Sequence, residues 1–367
     1  MKILHTGDWH LNHPRVPNKD TIADIRKHLL PKFPEVDAVF ITGDVFDGLV
    51  SFNSDEATDI VDLMVDIMLR CVETGVKVLR VLQGTFTHDR HQLKVWDALF
   101  AKLQVPLNYR SIVSLQVEYL EALGIHVLYL PDNLPYRDKQ EVFQQVDDQL
   151  TAFGIRQVDY VVMHGEFDHT SYGQFLNDAY NANDFKTRCK GRILAGHVHT
   201  PQRHQQVIYS GSVNRLAHGE EEAKGFWIHD DKHSTFIQNP DATLFKTVDY
   251  TGVDDLYQVI ERHQQILSEF PTDRQGFIRP IISDQYIKNA IRSHHREHYP
   301  HVKLTFKQAK SDSQDRPGLK IKSKKAEQLE VPSPKNIAAI VCGHLKTKNI
   351  ELEHQEVEEL IYGEDYG

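Results

Sequence analysis

The chain has few cysteines and no long apolar run, and each shortage excludes a class of protein. Its 367 residues include three cysteines, Cys71, Cys189 and Cys342, which are odd in number and widely spaced. Neither a disulfide framework nor a thiolate metal site is therefore expected. No apolar run approaches the roughly 18 residues that a membrane-spanning helix needs. The polar N-terminus "MKILHTGDWH" also lacks the apolar stretch of a signal peptide, which predicts a cytoplasmic protein, in the host cytoplasm if a virus encodes it.

The chain also lacks a surplus of positive charge. Its formal net charge is −10 at pH 7, whereas general affinity for nucleic acid needs clustered lysine and arginine. Any contact with nucleic acid must therefore be local. The 22 histidines are the unusual feature of the composition, and only their spacing can separate metal ligands from surface residues.

Alternating apolar and amphipathic segments predict an α/β domain in the first 240 residues. Short apolar runs typical of buried strands alternate with longer segments of helical periodicity. The strands are expected at residues 3–6, 38–42, 77–82, 126–130, 160–164 and 192–195. The helices between them are expected at residues 21–30, 55–73, 91–102 and 139–153. Three further short strands, at 207–209, 226–229 and 235–237, predict an antiparallel end to this domain.

The alternation starts again after residue 240 and predicts a second, smaller domain. Strands at 244–248, 277–282 and 302–306 alternate with helices at 254–270 and 285–298. Residues 307–336 are polar and basic without apolar periodicity, which is typical of a flexible linker. In residues 337–367 apolar side chains recur at helical spacing, and short helices of this kind are marginal alone in water. These helices either pack on their own domain or dock on another protein.

Most strand ends of the first domain are followed by a side chain that can bind a hard metal ion. The strings that contain them are "TGDWH", "TGDVFD", "MHGEF" and "AGHVHT", and the candidates are Asp8, His10, Asp44, His164, His197 and His199. Side chains beyond the carboxyl ends of strands gather in one crevice of an open α/β sheet, so we expect them to converge. Imidazole with carboxylate suits manganese, iron or zinc, and two such ions would activate water for phosphoester hydrolysis.

These strings, with "GHVHTPQ", "YSGSVNRLAHGEE" and "KGFWIHD", make the chain resemble calcineurin-like metallophosphoesterases and, within them, SbcD-type nuclease subunits of DNA double-strand-break repair. The resemblance covers roughly residues 1–230. It implies an α/β fold, a layered α/β/β/α metallophosphoesterase sandwich with a small α+β capping domain and C-terminal helices. With the segment pattern above, it divides the chain into a nuclease domain (1–240), a DNA-binding cap (241–306), a flexible basic linker (307–336) and a helical segment that binds an ATPase partner (337–367).

The resemblance also implies a role for each candidate around two divalent metal ions, with manganese expected and magnesium, iron or zinc as alternatives. One ion would be held by Asp8, His10 and His199 and the other by His164 and His197, with Asp44 bridging them. His88 would be the catalytic acid, with Asp89 orienting its imidazole. Asp47 would support a metal ligand rather than bind metal itself. Glu166 could line the same cleft.

One loop departs from the family's pattern. The family has Gly-Asn-His-Asp, in which the asparagine binds the second ion, whereas residues 84–89 of this chain are "GTFTHD". Counted from the glycine, Thr85 takes the asparagine position, and counted from the histidine, Thr87 does. A threonine hydroxyl is a shorter neutral ligand. Either residue is thus a candidate weak metal ligand, and the second site is expected to be the weaker one.

A basic cluster in the second domain predicts contacts with DNA phosphates, with a solvated helix face as the alternative. Its members are Arg279, Lys288, Arg292, Arg296 and Lys303. The resemblance further implies a homodimer with an SbcC-like coiled-coil ATPase as partner. These features predict a DNA exonuclease and endonuclease subunit acting in repair, recombination or replication. A catalytically weakened DNA-binding scaffold and a phosphoesterase for a non-DNA substrate are the alternatives.

Overall fold

The computed structural model describes residues 1–308 with the exception of 52–53, 133, 136–137, 171–172, 177–178 and 254. Contacts divide the chain into two units, Met1–Ala309 and Lys310–Gly367. The helical segment predicted at 337–367 and all but the first two residues of the predicted linker lie outside the described residues. No helix in the described part of the chain is long and apolar enough to cross a bilayer.

Two six-stranded sheets form the centre of the first 240 residues. Their strands are β1 (Ile3–Thr6), β2 (Ala38–Ile41), β3 (Val78–Leu82), β4 (Asn108–Ile112), β5 (Gln116–Leu120), β6 (Ile125–Leu130), β7 (Val158–His164), β8 (Cys189–Gly196), β9 (Gln202–His204), β10 (Val207–Tyr209), β11 (Gly225–His229) and β12 (Ser234–Gln238). The first sheet has the order β12-β11-β1-β2-β3-β4 and the second the order β5-β6-β7-β8-β10-β9. In each sheet the four strands that pair in parallel end at one common edge.

Helices cover the outer face of each sheet. They are α1 (Asn18–Asp24), α2 (Asp55–Thr74), α4 (Leu93–Leu103) and α5 (Lys139–Ala152), and the short helix α3 (Phe86–Asp89) lies in the loop between β3 and α4. The first continues through one π-helical turn, Ile25–Leu29, and a 3-10 segment, Leu30–Glu35. Apolar residues of α1, α2 and α4 pack on the first sheet, and those of α5 pack on the second. The predicted α/β/β/α sandwich is therefore confirmed.

Side-chain alternation along the strands gives both sheets two buried faces. In β2, Ala38 and Phe40 face the other sheet, whereas Val39 and Ile41 face the helices. Because both faces are covered, such strands consist of nearly continuous apolar residues. This is why apolar runs in the sequence locate the central strands to within a few residues.

Sequence periodicity does not predict β4 and β5, because exposed polar positions interrupt their apolar residues. The buried Arg80 of β3 links these strands across the two sheets. Its guanidinium forms a bidentate ion pair with Glu118 of β5, at 2.7 and 2.9 Å, and donates to Asn108 of β4 at 2.9 Å. A charge-assisted pair of this geometry is strong when it is shielded from water. A cation within an apolar strand thus connects the two sheets.

A third, smaller sheet follows residue 240. Its strands are β13 (Phe245–Asp249), β14 (Gly276–Ile282), β15 (Val302–Leu304) and β16 (Lys307–Gln308), all paired in parallel. The crossover helices are α6 (Leu256–Leu267) and α7 (Gln285–His298). Each begins at an aspartate, Asp255 or Asp284, whose carboxylate accepts backbone N–H groups of the first turn. Both helices pack on one face of the sheet, so this capping unit has its own apolar core.

A buried ion pair joins the capping unit to the first domain. The guanidinium of Arg274 lies 2.9 Å from the carboxylate of Asp24, which is fully buried in α1. Burial raises the pKa of Asp24, and the hydrogen bonds from Arg274 and Asn239 act against that rise. The orientation of the cap therefore depends on a charge pair that water does not screen.

Candidate metal centre

The six predicted metal ligands converge at the common edge of the two sheets. Asp8 and His10 follow β1, Asp44 follows β2, His164 ends β7, and His197 and His199 follow β8. Their ligand atoms form two groups within 4.8 Å, and these groups are Asp8 with His10 and His199, and Asp44 with His164 and His197. Four of the six, His10, Asp44, His197 and His199, line a cleft of about 270 Å³ together with Thr85 and His88. Strand ends that are far apart in sequence therefore supply one site.

The backbone at these positions is strained in a way that the sequence does not reveal. Asp8, His10, Asp44 and His197 have φ values of 51°, 46°, 48° and 92°, in the left-handed region that side chains with a Cβ avoid. Such strain persists only where the surrounding structure enforces it, and it is typical of functional sites. At Gly84 a Cβ would lie 2.2 Å from the backbone nitrogen of Asp44, so this loop needs a glycine beside the second strand end.

Each of the four histidines has one ring nitrogen held by an acceptor outside the cluster. Nδ1 of His10 lies 2.8 Å from the carboxylate of Asp47, and Nδ1 of His164 lies 2.7 Å from the carbonyl oxygen of Thr42. A carbonyl or carboxylate oxygen can only accept, so each Nδ1 carries a proton. Nε2 is therefore the ring nitrogen that each of these histidines can offer to a metal ion, which would take the place of any second proton.

The other two histidines are oriented by glutamates, a role that the sequence does not reveal. Nε2 of His197 lies 3.2 Å from Glu166, which leaves Nδ1 free. Nδ1 of His199 lies 3.3 Å from Glu220, which leaves Nε2 free. The signal is present in "HGEEEAK", but only the fold shows which of its three glutamates reaches a histidine.

The fully buried Lys224 holds this second glutamate in place. Its ammonium group lies 2.8 Å from Glu220 and 2.7 Å from Glu222, and it donates to the carbonyl oxygen of His199 at 2.9 Å. Burial opposes the charge of Glu220, but the hydrogen bond from His199 and the charge of Lys224 outweigh it and lower the pKa of Glu220 to about 2. Glu220 is therefore ionised and accepts the His199 proton.

The spacing of these nitrogens fits a bound cation. Nε2 of His10 and Nε2 of His199 are only 3.0 Å apart, although both Nδ1 protons are directed to carboxylates. Two lone pairs at this separation repel each other unless a proton or a metal ion lies between them. The donor set, four imidazoles with two carboxylates, also suits first-row divalent metals.

Asp44 occupies the position between the two groups. One of its carboxylate oxygens lies 3.3 Å from Nε2 of His164 and 3.8 Å from Nε2 of His10. Burial opposes its ionisation, but the charges of His164, His10 and His88 outweigh it and hold the pKa of Asp44 below its usual range. The same attraction raises the pKa of His164 to about 10, against the effect of its burial. A site that attracts protons this strongly also attracts metal cations.

The altered loop places Thr85, and not Thr87, at the cluster. The hydroxyl of Thr85 lies 3.2 Å from the carboxylate of Asp44 and 3.3 Å from Nε2 of His164. Thr87 is exposed. The alignment that counts from Gly84 is therefore the one that the fold adopts, and the two extra residues lengthen the loop after the ligand position.

Asp89 does not orient His88, so that prediction is wrong. The carboxylate of Asp89 is fully buried and accepts hydrogen bonds from the backbone N–H groups of Gly84 at 2.7 Å, Asp44 at 3.1 Å and Phe46 at 3.1 Å. His88 instead directs Nδ1 to the carbonyl oxygen of Asp47 at 3.4 Å, and its ring edge meets His10. Adjacent residues in the short helix α3 point in different directions. Asp89 therefore connects the loop after β3 to the backbone that follows β2.

The predicted DNA contacts are divided between two faces of the cap. Arg279 of β14 and Lys303 of β15 lie in register with Thr247 and Phe277, on the face of the sheet opposite the two helices. The remaining residues, Lys288, Arg292 and Arg296, lie on α7, which covers the other face. The sequence cluster is therefore not one surface.

Comparisons with known proteins agree with this geometry. The "Calcineurin-like phosphoesterase" family model matches residues 1–81. A curated relative from Staphylococcus epidermidis, the SbcD chain of the nuclease SbcCD, is 22% identical over 265 residues, which cover 65% of this chain and 68% of the relative. The crystal structure of a hypothetical protein from Thermus thermophilus matches 58% of this chain, and the match includes 76% of that protein's chain at 16% sequence identity. Its TM-score of 0.33 is too low to support any conclusion. The first two matches confirm the predicted resemblance to an SbcD-type calcineurin-like metallophosphoesterase.

Proposed function

We propose that this metallophosphoesterase is a metal-dependent DNA exonuclease and endonuclease subunit that hydrolyses phosphodiester bonds in repair, recombination or replication. The observation that carries the proposal is the convergence of six ligand side chains from four strand ends in two adjacent groups. The family match supports phosphoester hydrolysis. The name of the bacterial relative, a nuclease, supports DNA as the substrate.

We propose that the cluster holds two divalent ions, with manganese favoured over magnesium, iron or zinc. The first ion would be bound by Asp8, His10 and His199 and the second by His164 and His197, with Asp44 shared. The hydroxyl of Thr85 reaches the second group, but it is shorter than the asparagine side chain of the family. The second ion is therefore the more weakly bound one in this proposal.

The protein's own residues then have separate tasks in hydrolysis. When bound, a metal pair of this kind lowers the pKa of a water molecule and stabilises charge on the phosphate. His88 lines the same cleft, and its Nδ1 is directed to the carbonyl oxygen of Asp47. Its Nε2 is thus the atom that can give a proton to the leaving oxygen. Asp47, Glu166 and Glu220 keep the ligand imidazoles in the required tautomers.

The assembly is also part of the proposal. A homodimer, an SbcC-like coiled-coil ATPase and a location in the cytoplasm, or the host cytoplasm for a virus-encoded protein, follow from the resemblance. The segment 337–367, which would bind the ATPase, lies outside the described residues. DNA would contact the cap, where Arg279, Lys288, Arg292, Arg296 and Lys303 are the candidates.

Two other functions compete with this one. In a scaffold protein, the changed loop would have abolished turnover, but Thr85 still places an oxygen beside His164 and His88 still lines the cleft. A phosphoesterase for small substrates would not need a cap that is joined to the first domain by a buried ion pair and carries cations such as Lys303 on its sheet. Both observations favour the nuclease.

One assay separates the three functions. Manganese-dependent cleavage of duplex and hairpin DNA, with and without the ATPase partner, is compared between the wild type, Asp44→Ala and His88→Ala. We expect near-complete loss in both variants, because they remove the shared ligand and the acid. Retained cleavage in Asp44→Ala would refute the metal assignment. If the wild-type protein binds DNA but does not cleave it, the protein is a scaffold. If it hydrolyses small phosphodiesters but not DNA, it is a phosphoesterase for small substrates.

A further inference from the structure

Two buried histidines lie in the interface between the two large sheets, and the proposed mechanism does not use them. Ile3 belongs to the apolar core between the sheets, so the alternation of side chains along β1 places the buried His5 there too. Nδ1 of His5 lies 3.3 Å from Nε2 of the buried His229, whose Nδ1 lies 2.9 Å from the hydroxyl of Ser234. Polar groups in such a core are costly unless hydrogen bonds satisfy them. The partners of this pair therefore indicate its task.

Buried hydroxyl groups connect this pair to a predicted metal ligand. Nε2 of His5 lies 3.4 Å from the hydroxyl of Thr42, which follows β2. That hydroxyl lies 3.4 Å from the hydroxyl of Ser210, which follows β10. The Ser210 hydroxyl donates to Oδ2 of Asp8 at 3.3 Å. We call the five residues that lead to Asp8 the buried network: Ser234, His229, His5, Thr42 and Ser210.

Two glycines make room for the Thr42 hydroxyl, which lies at the centre of the buried network. A Cβ at Gly7 would lie 2.5 Å from this oxygen and 3.2 Å from the Ser210 hydroxyl. A Cβ at Gly196 would lie 2.2 Å from the carbonyl oxygen of Thr42 and 3.0 Å from its hydroxyl. Each glycine immediately precedes a predicted metal ligand, in the strings "TGD" and "AGH". The backbone of the metal centre thus provides the space for this contact.

The carboxylate of Asp8 determines the direction of the hydrogen bonds. A carboxylate can only accept, so the Ser210 hydroxyl donates to it. The Thr42 hydroxyl has one proton. If it donates to Ser210, or to the carbonyl oxygen of Thr6 at 3.1 Å, it can still accept from Nε2 of His5. If it donates to His5 instead, its contacts with the other two oxygens have no proton. The first arrangement satisfies more buried groups, so Nε2 of His5 carries the proton.

Both imidazoles are neutral, so one proton on each ring determines the remaining bonds. Burial lowers the pKa of His5 to about 3, against the effect of a hydrogen bond with the backbone of Ala195. Burial also lowers the pKa of His229 well below its usual range, and the charge of His5 acts in the same direction. With its proton on Nε2, His5 accepts at Nδ1 from Nε2 of His229, which accepts at Nδ1 from Ser234. The imidazole protons of the network thus point toward Asp8.

The last bond of the network distinguishes the two oxygens of the Asp8 carboxylate. The backbone N–H of His197 lies 2.9 Å from Oδ1 and 3.1 Å from Oδ2, and the Ser210 hydroxyl adds a second donor to Oδ2. Oδ1 therefore keeps more of its capacity to accept a cation. Thr42 also contacts the second group of ligands, because its carbonyl oxygen accepts from Nδ1 of His164 at 2.7 Å.

We infer that the buried network positions Asp8 for the first metal ion. Its members are positioning residues, since Ser210 holds one carboxylate oxygen in place and the rest of the network holds Ser210. Partners that lie behind a metal ligand usually contribute strongly to metal affinity. The inference rests on the two-ion centre of the proposed function, and it assigns a task to buried residues outside the ligand set.

Variants that remove single hydroxyl groups test this inference in the full chain. Ser210→Ala removes the donor to Asp8, and Thr42→Val removes the central hydroxyl with little change of shape. Thr42→Ser keeps the hydroxyl and is the rescue variant. Thr243→Val is the matched control, because Thr243 lies between β12 and β13, is fully buried, and has a hydroxyl without a hydrogen-bond partner among the described residues.

Calorimetric titration of the metal-free proteins with manganese gives the affinity of the tighter ion. We expect Ser210→Ala and Thr42→Val each to weaken it by roughly 10-fold, as the loss of a partner behind a metal ligand does. Thr42→Ser and Thr243→Val should resemble the wild type. Unchanged affinities in both hydroxyl-removing variants, or an equal loss in Thr243→Val, would overturn the inference.

The imidazole tautomers give a second readout, which needs neither metal nor activity. Long-range proton–nitrogen correlation spectra of the metal-free protein with isotopically labelled histidine, assigned with His5→Gln and His229→Gln, should show both rings protonated at Nε2. A proton on Nδ1 of His5 would reverse the network and overturn the inference. If the variants differ in manganese affinity as expected but the wild type cleaves no DNA, the nuclease proposal fails and this inference stands. Cleavage by the wild type with equal affinities in all variants would have the opposite meaning.

Discussion

Replacing Glu220 with glutamine is expected to weaken metal binding by reversing the tautomer of His199. One oxygen of Glu220 accepts the Nδ1 proton of His199 at 3.3 Å. The other accepts from Lys224 at 2.8 Å and from the backbone N–H of Leu216 at 3.2 Å. Lys224 and the backbone amide can only donate, so the carboxamide oxygen of the new side chain must face them. Its NH₂ group then faces Nδ1 of His199 and moves the ring proton to Nε2, the atom needed for the metal ion.

The size of this effect follows from the part that the glutamate plays. Loss of the partner behind a ligand histidine lowers metal affinity by about 10–100-fold, which corresponds to roughly 1.4–2.7 kcal/mol of binding free energy. Because the pKa of Glu220 is lowered to about 2, its negative charge is complete at neutral pH, and losing that charge acts in the same direction. Calorimetric titration of the metal-free full chain with manganese gives the dissociation constant of the tighter ion.

Glu222→Gln is the matched control. Glu222 contacts Lys224 at 2.7 Å and Thr200 at 3.1 Å, but no ring nitrogen of His199. Both variants remove one negative charge beside the same buried lysine, so thermal unfolding of the metal-free proteins should change by similar amounts. A manganese affinity of Glu220→Gln equal to the wild type would refute the tautomer argument. Equal losses of affinity in the two variants would assign the effect to Lys224 instead.

Three further changes test other parts of the structure. Thr85→Asn should strengthen the binding of the second metal ion, because a carboxamide oxygen reaches further than a hydroxyl, whereas Thr87→Ala should leave that affinity unchanged. Equal calorimetric affinities of the two variants would contradict the loop alignment. Arg274→Met leaves the buried carboxylate of Asp24 unpaired and should cost about 3–5 kcal/mol of unfolding free energy at pH 8. The cost should be smaller at pH 5 than at pH 8, because the raised pKa of Asp24 would rise further without Arg274 and protonation relieves the unpaired buried charge; urea unfolding that shows no pH difference would argue against this. His5 is buried with its pKa lowered to about 3, so unfolding takes up a proton and stability falls as the pH drops below about 6.5. His5→Gln should remove the uptake of about one proton on unfolding. The free energy of unfolding should then change with pH by roughly 1.4 kcal/mol per pH unit less between pH 6 and 4, and an unchanged pH dependence in urea unfolding would contradict it.

The order of the central elements and the candidate ligands could both be predicted from sequence for the same physical reason. Parallel strands buried on two faces need continuous apolar residues, and the polar residues that interrupt them come at the strand ends. Asp8, Asp44 and His164 therefore stand out in the sequence as polar residues at the ends of apolar runs. β4 and β5 do not stand out, because their apolar residues alternate with exposed ones. The ion pair of Arg80 in β3 with Glu118 in β5 also joins two distant segments, so no local pattern predicts it.

Contacts between distant segments could not be predicted from local patterns. Counting along the loop left Thr85 and Thr87 equal, and only the position of Asp44 and His164 decides between them. His88 and Asp89 are adjacent in sequence, yet a helical turn directs the second carboxylate to three backbone N–H groups. Adjacency in sequence is a weak guide to contact where the chain turns through a helix.

The sequence by itself determined the layered architecture, the chemistry of the ligand set and the class of reaction, because these depend on residue type and on periodicity. Tertiary structure alone decided which ring nitrogen of each imidazole faces the metal cluster, which threonine reaches that cluster, and which cap cations lie on the same face of the small sheet. Each of these depends on where a second segment lies. Glu220 shows the difference most plainly, because its effect on His199 exists only after two loops, 21 residues apart in sequence, meet beside the buried Lys224.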